Sequence, residues 1–359
     1  MMANPAVSVL TPTYNRAHVL HRVYDSLNRQ KTREFEWVVV DDGSTDDTPA
    51  LLARWQAEAD FPITWFRYSN NRGKHAAINI GRKLVSGDYT LMLDSDDALV
   101  DDAMEIVAAW RAKAGIDTMP KVCGLVFRCI DDLGSIVGKL INGNSIFPHD
   151  VMRLSTRAAR YDLGIGFDFI LVWKTKILSE ISFGELDGSE HFPESIDLNR
   201  LSDFWEVIYV DRPIRIYYRH DGLPRLSDKL SRYVKWPRGN YLRALAILNN
   251  DIYYLWKRPM VFLNAARKVT RLGLHIGRSP RLQFQDIAHG RARLLWAISI
   301  PGGCVGYLRD RIYGRTAPKA DSDIAAWGPA APPENPEIHP PPECFRQMTR
   351  AASLKPDIP

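Results

Sequence analysis

The stretch LMLDSDDALV, residues 91–100, decides the fold. It continues an apolar run begun at Asp88-Tyr89-Thr90, then packs Asp94, Asp96 and Asp97 into four positions. Carboxylates this close repel one another unless water or a cation shares their field. The pattern is that of a buried strand whose carboxyl end meets solvent or a positive ligand. In extended chain, side chains two apart point the same way, so Asp94 and Asp96 share one face where the strand gives way to its loop. Oxygen ligands at a site open to water suit Mg2+ or Mn2+, above all when phosphate oxygens complete the shell. Solvated turn aspartates would read alike in isolation, so the rest of the sheet has to decide.

Three earlier segments repeat the design. VSVLT at 7–11, EWVVV at 36–40 and ITWFRYS at 63–69 read as strands, and the helical period of Val19, Leu20, Val23, Tyr24 and Leu27 falls between the first two. A helix to about Glu58, capped by Asp46 or Asp47, and another over Gly73–Val85 complete an alternation that predicts an α/β fold with a mostly parallel sheet flanked by helices. The four strand ends are TPTYN, DDGSTDD, SNNRGK and DSDD. All are polar and turn-forming, and ligands of such sheets bind outside the carboxyl ends of the strands. Asp41 and Asp42 can accept hydrogen bonds from a ribose or base there, while Arg72 and Lys74 flank a turn glycine suited to phosphate. No GxGxxG and no Walker A sequence is present, which disfavours a dinucleotide cofactor and a P-loop.

The composition frames this core. The chain has 359 residues, enough for one large domain or one with an appendage, and four cysteines without CxxC spacing. MMANPAVSVL lacks the basic flank and apolar stretch of a signal peptide, and no run reaches a membrane span, so a cytoplasmic protein is expected. The net charge of +5 is segregated: residues 229–315 hold 17 Lys and Arg against three Asp and no Glu. A basic helical extension is thus joined to an acidic domain. Two strands joined by a turn near Asp131 to Gly134, short strands at 166–173, 206–210 and 213–219, and helices after 229 interrupted at Pro237 and Pro259 follow from the pattern. A further helix over 286–300 is expected to stop before Pro301-Gly302-Gly303. The tail from 316 has 10 prolines in 44 residues and little periodicity, so it is expected to be poorly ordered.

Together, PTYNR at 12–16, VVVDDGSTDDT at 38–48, NRGKHAAINIG at 71–81 and LDSDD at 93–97 resemble the nucleotide-sugar-binding half of family 2 glycosyltransferases. The resemblance is clearest over residues 5–105. It implies the GT-A fold, a Rossmann-like sheet flanked by helices. It also implies that Thr11, Tyr14 and Asp42 line the nucleoside pocket of a donor; Pro12 and Asp41, at the same strand ends, are expected beside them, and Arg72 and Lys74 are suited to its phosphates or base. Asp94 would lie near the ribose or donor sugar, and Asp96, with Asp94, would hold Mn2+ or Mg2+ against the diphosphate. The boundaries that follow are a nucleotide-sugar half at 1–115, an acceptor half with the catalytic base at 116–228, the basic helical region at 229–315 and the tail at 316–359.

Sugar transfer also requires a group that takes the acceptor's proton. GELDGSEHFPESIDLNR, 184–200, supplies Glu185, Asp187, Glu190, His191, Glu194 and Asp197. Glu194 followed six residues later by Arg200 resembles the family's base and arginine, although Pro193 replaces the usual glutamate of the pair and Leu201 the usual tryptophan. Pro193 stiffens a helix entrance, and Glu194 in the first turn would be kept ionised by exposed N–H groups. Glu190 and His191 are the runners-up. The expected reaction is inverting transfer from a nucleoside-diphosphate sugar, in the first instance UDP-linked, to a glycan or lipid-linked saccharide, with Glu194 as base and Asp96 at the cation.

Arg219 and His220 in YYRHDGLPRLS are candidates for the diphosphate or a mobile lid. Beyond them, basic residues alternate with apolar ones, which suits an anionic membrane surface on the cytoplasmic side, a subdomain packed on the core or a dimer surface. A metal-dependent nucleotidyltransferase would use the same carboxylates but leave Glu194 without a task. A non-enzymatic nucleotide-sugar binder would do likewise. The basic stripe alone would suit nucleic acid, but no nucleic-acid motif is present and the acidic strand ends would repel its backbone, so no nucleic acid is expected.

Overall fold

The computed structural model describes residues 5–137, 151–165, 169–186, 192–220, 236–313 and 337–339. The first half alternates as the pattern requires: β1 Val7–Thr13, α1 His21–Asn28, β2 Phe35–Asp41, α2 Thr48–Glu58, β3 Ile63–Arg67, α3 Lys74–Gly81 and β4 Tyr89–Met92. β3, β2, β1 and β4 pair in parallel, in that order. Both faces of β1 and β2 are buried, with Val9, Trp37 and Val39 packed on one side and Leu10, Val38 and Val40 on the other, which is why the strands read as continuous apolar runs. The register sets Thr13 opposite Asp41 and Asp41 opposite Arg67. The loops after β1, β2, β3 and β4 therefore rise from one edge.

The second half extends the sheet with mixed directions. After β5 Ala98–Leu99 and α4 Ala103–Ala114 come β6 Val122–Asp131, β7 Ile136–Val137, β8 Val151–Leu154, α5 Thr156–Ala158, β9 Phe169–Lys174, α6 Thr175–Glu180, α7 Ser195–Leu201 and β10 Glu206–Tyr217. β9 runs antiparallel between β4 and β6, and β10 is parallel to β6. Sequence reading gives two short strands where β10 is one. The irregularity that suggested a break survives as a register shift between Val210 and Pro213, where proline has no N–H for the ladder. β10 pairs with β5 so that Arg215 stands opposite Leu99, two residues beyond Asp97.

Helices α8 Pro237–Asn250, α9 Pro259–His275, α10 Pro280–Asp286 and α11 Gly290–Ile312 build a separate core from Tyr241, Leu248, Phe262, Val269, Leu272 and Trp296, into which Tyr161 inserts. Pro237, Pro259 and Pro280 occupy first turns, where the missing N–H costs nothing. α11 departs from expectation, because it continues through Pro301-Gly302-Gly303 to Ile312. Packing outweighs the local signal: a Cβ on Gly303 would lie 2.4 Å from the Thr270 Cβ of α9, so the glycine permits close contact of the two helices. The extension is tied to the sheet domain by Asp251, fully buried, which accepts hydrogen bonds from Arg157 Nε (2.7 Å), Tyr161 Oη (2.7 Å) and Asn199 Nδ2 of α7 (3.2 Å). Glu337–His339 forms a short strand, β11, antiparallel to β3, and the rest of the tail lies outside the described residues.

The loops at the strand ends brace one another. Asn15 N–H donates to Ser44 Oγ (2.8 Å), Ser44 N–H to Asp41 Oδ1 (3.0 Å) and Arg67 to the Ser44 carbonyl (2.8 Å). Gly43 has φ +77°, and a Cβ there would meet the Asn70 carbonyl carbon at 2.7 Å. Gly43→Ala is expected to lower unfolding free energy by about 1–3 kcal/mol, from the left-handed backbone and the clash together, as read by urea denaturation; an unchanged midpoint would show that the loop adapts freely.

Candidate active site

The edge opens into a cavity of about 420 Å3 lined by residues from all four strand ends, among them Pro12, Tyr14, Arg16, Asp42, Lys74, Asp94 and Asp96. Thr11 is not on its wall. It is buried one residue back, where its Oγ1 accepts the indole N–H of Trp37 (3.0 Å). Asp41 likewise stands behind the wall and supports the loop through Ser44 and Arg67 (3.4 Å). Asp42 faces the cavity and accepts from the backbone N–H groups of Arg72 (2.8 Å) and Gly73 (2.7 Å). Burial, only partly offset by those two donors, pushes its carboxyl up to about 6. The Arg72 guanidinium lies over the Tyr68 ring and 3.9 Å from Glu185.

Lys74, in the first turn of α3, is the centre of the arrangement. Its Nζ lies 2.6 Å from Asp94 Oδ1 and 2.6 Å from Glu194 Oε1. Burial disfavours its charge, yet the two carboxylates hold the ammonium far above its usual range. For Asp94, burial is outweighed by Lys74 and Arg215, which bring the carboxyl down to about 2. Lys74 also holds the Glu194 carboxyl below the usual range, against the effect of burial. The sequence placed Glu194 in a helical first turn stabilised by N–H groups; it is instead the N-cap of α7, makes no capping hydrogen bond, and owes its charge to Lys74.

A second cavity, of about 80 Å3, adjoins the first. Lys74, Asp94 and Pro12 line both, whereas Glu194 lines only the smaller and Pro193 only the larger. Lys74 thus forms the partition between the two.

Asp96 is in a different state from Asp94. The two side chains are about equally exposed, but Asp96 has only the looser approach of Arg16, at 3.8 Å, where Asp94 has Lys74 at 2.6 Å. Asp97 is buried and paired with Arg215 (2.7 Å), whose guanidinium also reaches Asp94 (3.7 Å). Among the described residues no group of three or more acidic, histidine or cysteine side chains could hold a metal ion. The donor chemistry fits a cation for which Asp96 is the protein ligand and phosphate oxygens and water complete the shell.

Several expected residues are elsewhere. Arg219 and His220 donate backbone N–H bonds to Asp132 (2.9 and 3.3 Å) beside the β6–β7 turn. Arg200 is on the exposed side of α7, while Asp197, buried, accepts from Gly184 N–H (3.1 Å). Glu185 accepts from Asn79 (2.7 Å), and Asp187, Glu190 and His191 lie outside the described residues. Sequence reading missed Arg215, and it missed Trp236, Asn240 and Arg243, which α8 and the residue before it contribute to the larger cavity. No motif marks any of these four. Arg16, by contrast, closes the PTYNR stretch and was within reach.

Residues 8–138 match the family model described as glycosyl transferase family 2. It is similar to a GalNAc(5)-diNAcBac-PP-undecaprenol beta-1,3-glucosyltransferase of Campylobacter jejuni, 24% identical over 251 residues, which are 69% of this chain and 75% of that one. An abequosyltransferase of Salmonella typhimurium is 33% identical over 106 residues, 29% of this chain and 32% of its own. Among solved structures, Staphylococcus aureus TarS 1–349 in complex with UDP-GlcNAc aligns over 86% of this chain and 83% of its own, with 19% identity and a TM-score of 0.47.

The raised Asp42 carboxyl has a consequence for binding. Ionised above about pH 6, it accepts two N–H groups of the loop before α3; protonated, it loses acceptor capacity. UDP affinity is therefore expected to fall as pH drops through about 6, and Asp42→Asn to flatten that step. Calorimetric titration with UDP between pH 5 and 8 checks it; parallel profiles for the two proteins would remove Asp42 from the nucleotide site.

Proposed function

We propose that the chain is an inverting glycosyltransferase that moves a sugar from a nucleoside-diphosphate donor, in the first instance a UDP-hexose, to a hydroxyl of a lipid-linked saccharide in cell-surface polysaccharide synthesis. The observation that carries this reading is the Lys74 ammonium shared by Asp94 and Glu194 at the partition of the two cavities. The larger cavity takes the donor. Its nucleoside lies along Pro12, Tyr14 and Asp42, and its diphosphate lies by Lys74 and Asp96.

A divalent cation, Mn2+ or Mg2+, bound at Asp96 with donor phosphate oxygens would supply Lewis-acid neutralisation of the leaving diphosphate. Asp94, already matched by Lys74 and Arg215, orders the wall beside the sugar. The incoming diphosphate gives Lys74 a third anionic partner, beside Asp94 and Glu194, and loosens its hold on Glu194. Freed of that ammonium, Glu194 becomes a stronger base. It accepts the proton of the acceptor hydroxyl as that oxygen bonds to the anomeric carbon, opposite the breaking bond to the diphosphate, so the configuration inverts. The lipid-linked acceptor is supported by the name of the Campylobacter relative, and an anionic membrane surface would bring such an acceptor to the basic extension.

Asp96→Asn is expected to cut transfer about 10²–10³-fold with the fold intact. Glu194→Gln should cut turnover about 10²–10⁴-fold while UDP binding is kept or tightened, because Lys74 is released to the phosphates. A panel of UDP- and GDP-sugars with Mn2+ or Mg2+, offered lipid-linked and soluble acceptors, provides the assay. Full activity of Asp96→Asn at saturating donor, or loss of UDP binding in Glu194→Gln equal to the loss of turnover, would contradict these roles.

A further inference from the structure

α11 has apolar residues on two faces. Its inward face buries Ala292, Trp296, Ser299, Gly303 and Asp310, with Leu295 and Ile300 partly buried against the same helical core. The opposite face carries Leu294, Ile298, Val305, Leu308 and Ile312, which are between 57% and 80% exposed, with exposed Pro301 in the same row. At 3.6 residues per turn these six positions fall within an arc of about 80°. They form an apolar stripe along nearly the whole of the 23-residue helix, a length of about 34 Å. Fold stability does not call for it, since the inward contacts are made by the other face, through Trp296, Leu295 and Ile300 and through Asp310, which accepts two bonds from Arg271 (2.5 and 2.6 Å) and lies 3.1 Å from His275.

Charge says what covers the stripe. Arg291 and Arg309 border it on one side, and Arg293 and Arg311 lie further round on the other. The helix has no carboxylate besides Asp310, which is buried and already paired. A second copy packed on this face would set one arginine border against another, whereas anionic headgroups complement both borders while their acyl chains take up the apolar row. No helix among the described residues is long and apolar enough to cross a membrane, so the helix would lie along the surface.

We propose that the outer face of α11 is the seat of the protein on an anionic lipid bilayer, inserted parallel to its surface through Leu294, Ile298, Val305, Leu308 and Ile312 and held by the flanking arginines. This deepens the membrane part of the proposed function by naming the face, and it does not depend on sugar transfer.

The test is co-sedimentation of the full chain with vesicles of phosphatidylcholine, alone or with about one third phosphatidylglycerol, at low and high salt, alongside sedimentation velocity without lipid. The wild type is expected to bind the anionic vesicles and to be weakened by salt. Ile298→Glu with Leu308→Glu should reduce binding at least tenfold at unchanged thermal midpoint, both side chains being exposed. Arg291→Gln with Arg309→Gln should reduce it several-fold and lessen the salt dependence. Absent binding at low salt, equal binding to neutral vesicles, or binding untouched by the glutamates would overturn the proposal. A dimer that the glutamates dissolve into monomers would overturn it too, by making a second copy the occupant.

Discussion

One ammonium group organises this molecule's chemistry. Lys74 Nζ, at 2.6 Å from a carboxylate on each side, joins the carboxyl end of β4 to the start of α7. The pairing works because neither carboxylate is left with an uncompensated charge in a half-buried place, where charge without a partner is costly. Arg215 performs the matching task on the next pair, Asp94 and Asp97. Three strand-end aspartates that would repel one another in sequence are thereby separated into distinct states. Asp97 is paired within the wall, Asp94 is shared between two cations, and Asp96 faces the cavity with Arg16 at 3.8 Å. Of the three, Asp96 has the loosest ion pair, which leaves its carboxylate the most available to a ligand.

The fold serves that arrangement. Parallel pairing of β3, β2, β1 and β4 delivers four polar loops to one edge, and the left-handed Gly43 lets the loop after β2 lie close on Asn70 of the loop after β3. Asp251, on the turn after α8, holds α7 through Asn199 and thus links the helical extension to the element that carries Glu194. α8 itself adds Asn240 and Arg243 to the wall of the larger cavity. The basic extension is therefore part of the site as well as the bearer of α11.

What was legible in the sequence follows the range of the interactions concerned. Strands β1 to β4 are buried on both faces, so their Val, Leu and Ile runs announce them. The polar ends announce the site edge, and the motifs there resemble the family whose model residues 8–138 match. Asp42, Asp94 and Asp96 were readable as cavity residues for the same reason. Thr11 is adjacent to Pro12 in sequence, yet strand alternation turns it towards Trp37, away from the cavity. Arg215 is more than a hundred positions from Asp97, and only the β5–β10 pairing brings them together. Glu194 was singled out from its local context and its spacing to Arg200, but the cause of its charge, Lys74, came from a helix start 120 positions away. Pro301 and the glycines after it read as a stop because their use, close packing on Thr270, is tertiary.

The central claim is that Lys74 exchanges Glu194 for the donor's diphosphate. A crystal structure with UDP bound tests it most directly. The account requires a phosphate oxygen within hydrogen-bond reach of Lys74 Nζ, close to Asp96, and a Lys74 to Glu194 separation lengthened beyond direct contact. Phosphates bound away from Lys74 and Asp96, with the contact to Glu194 intact, would contradict it.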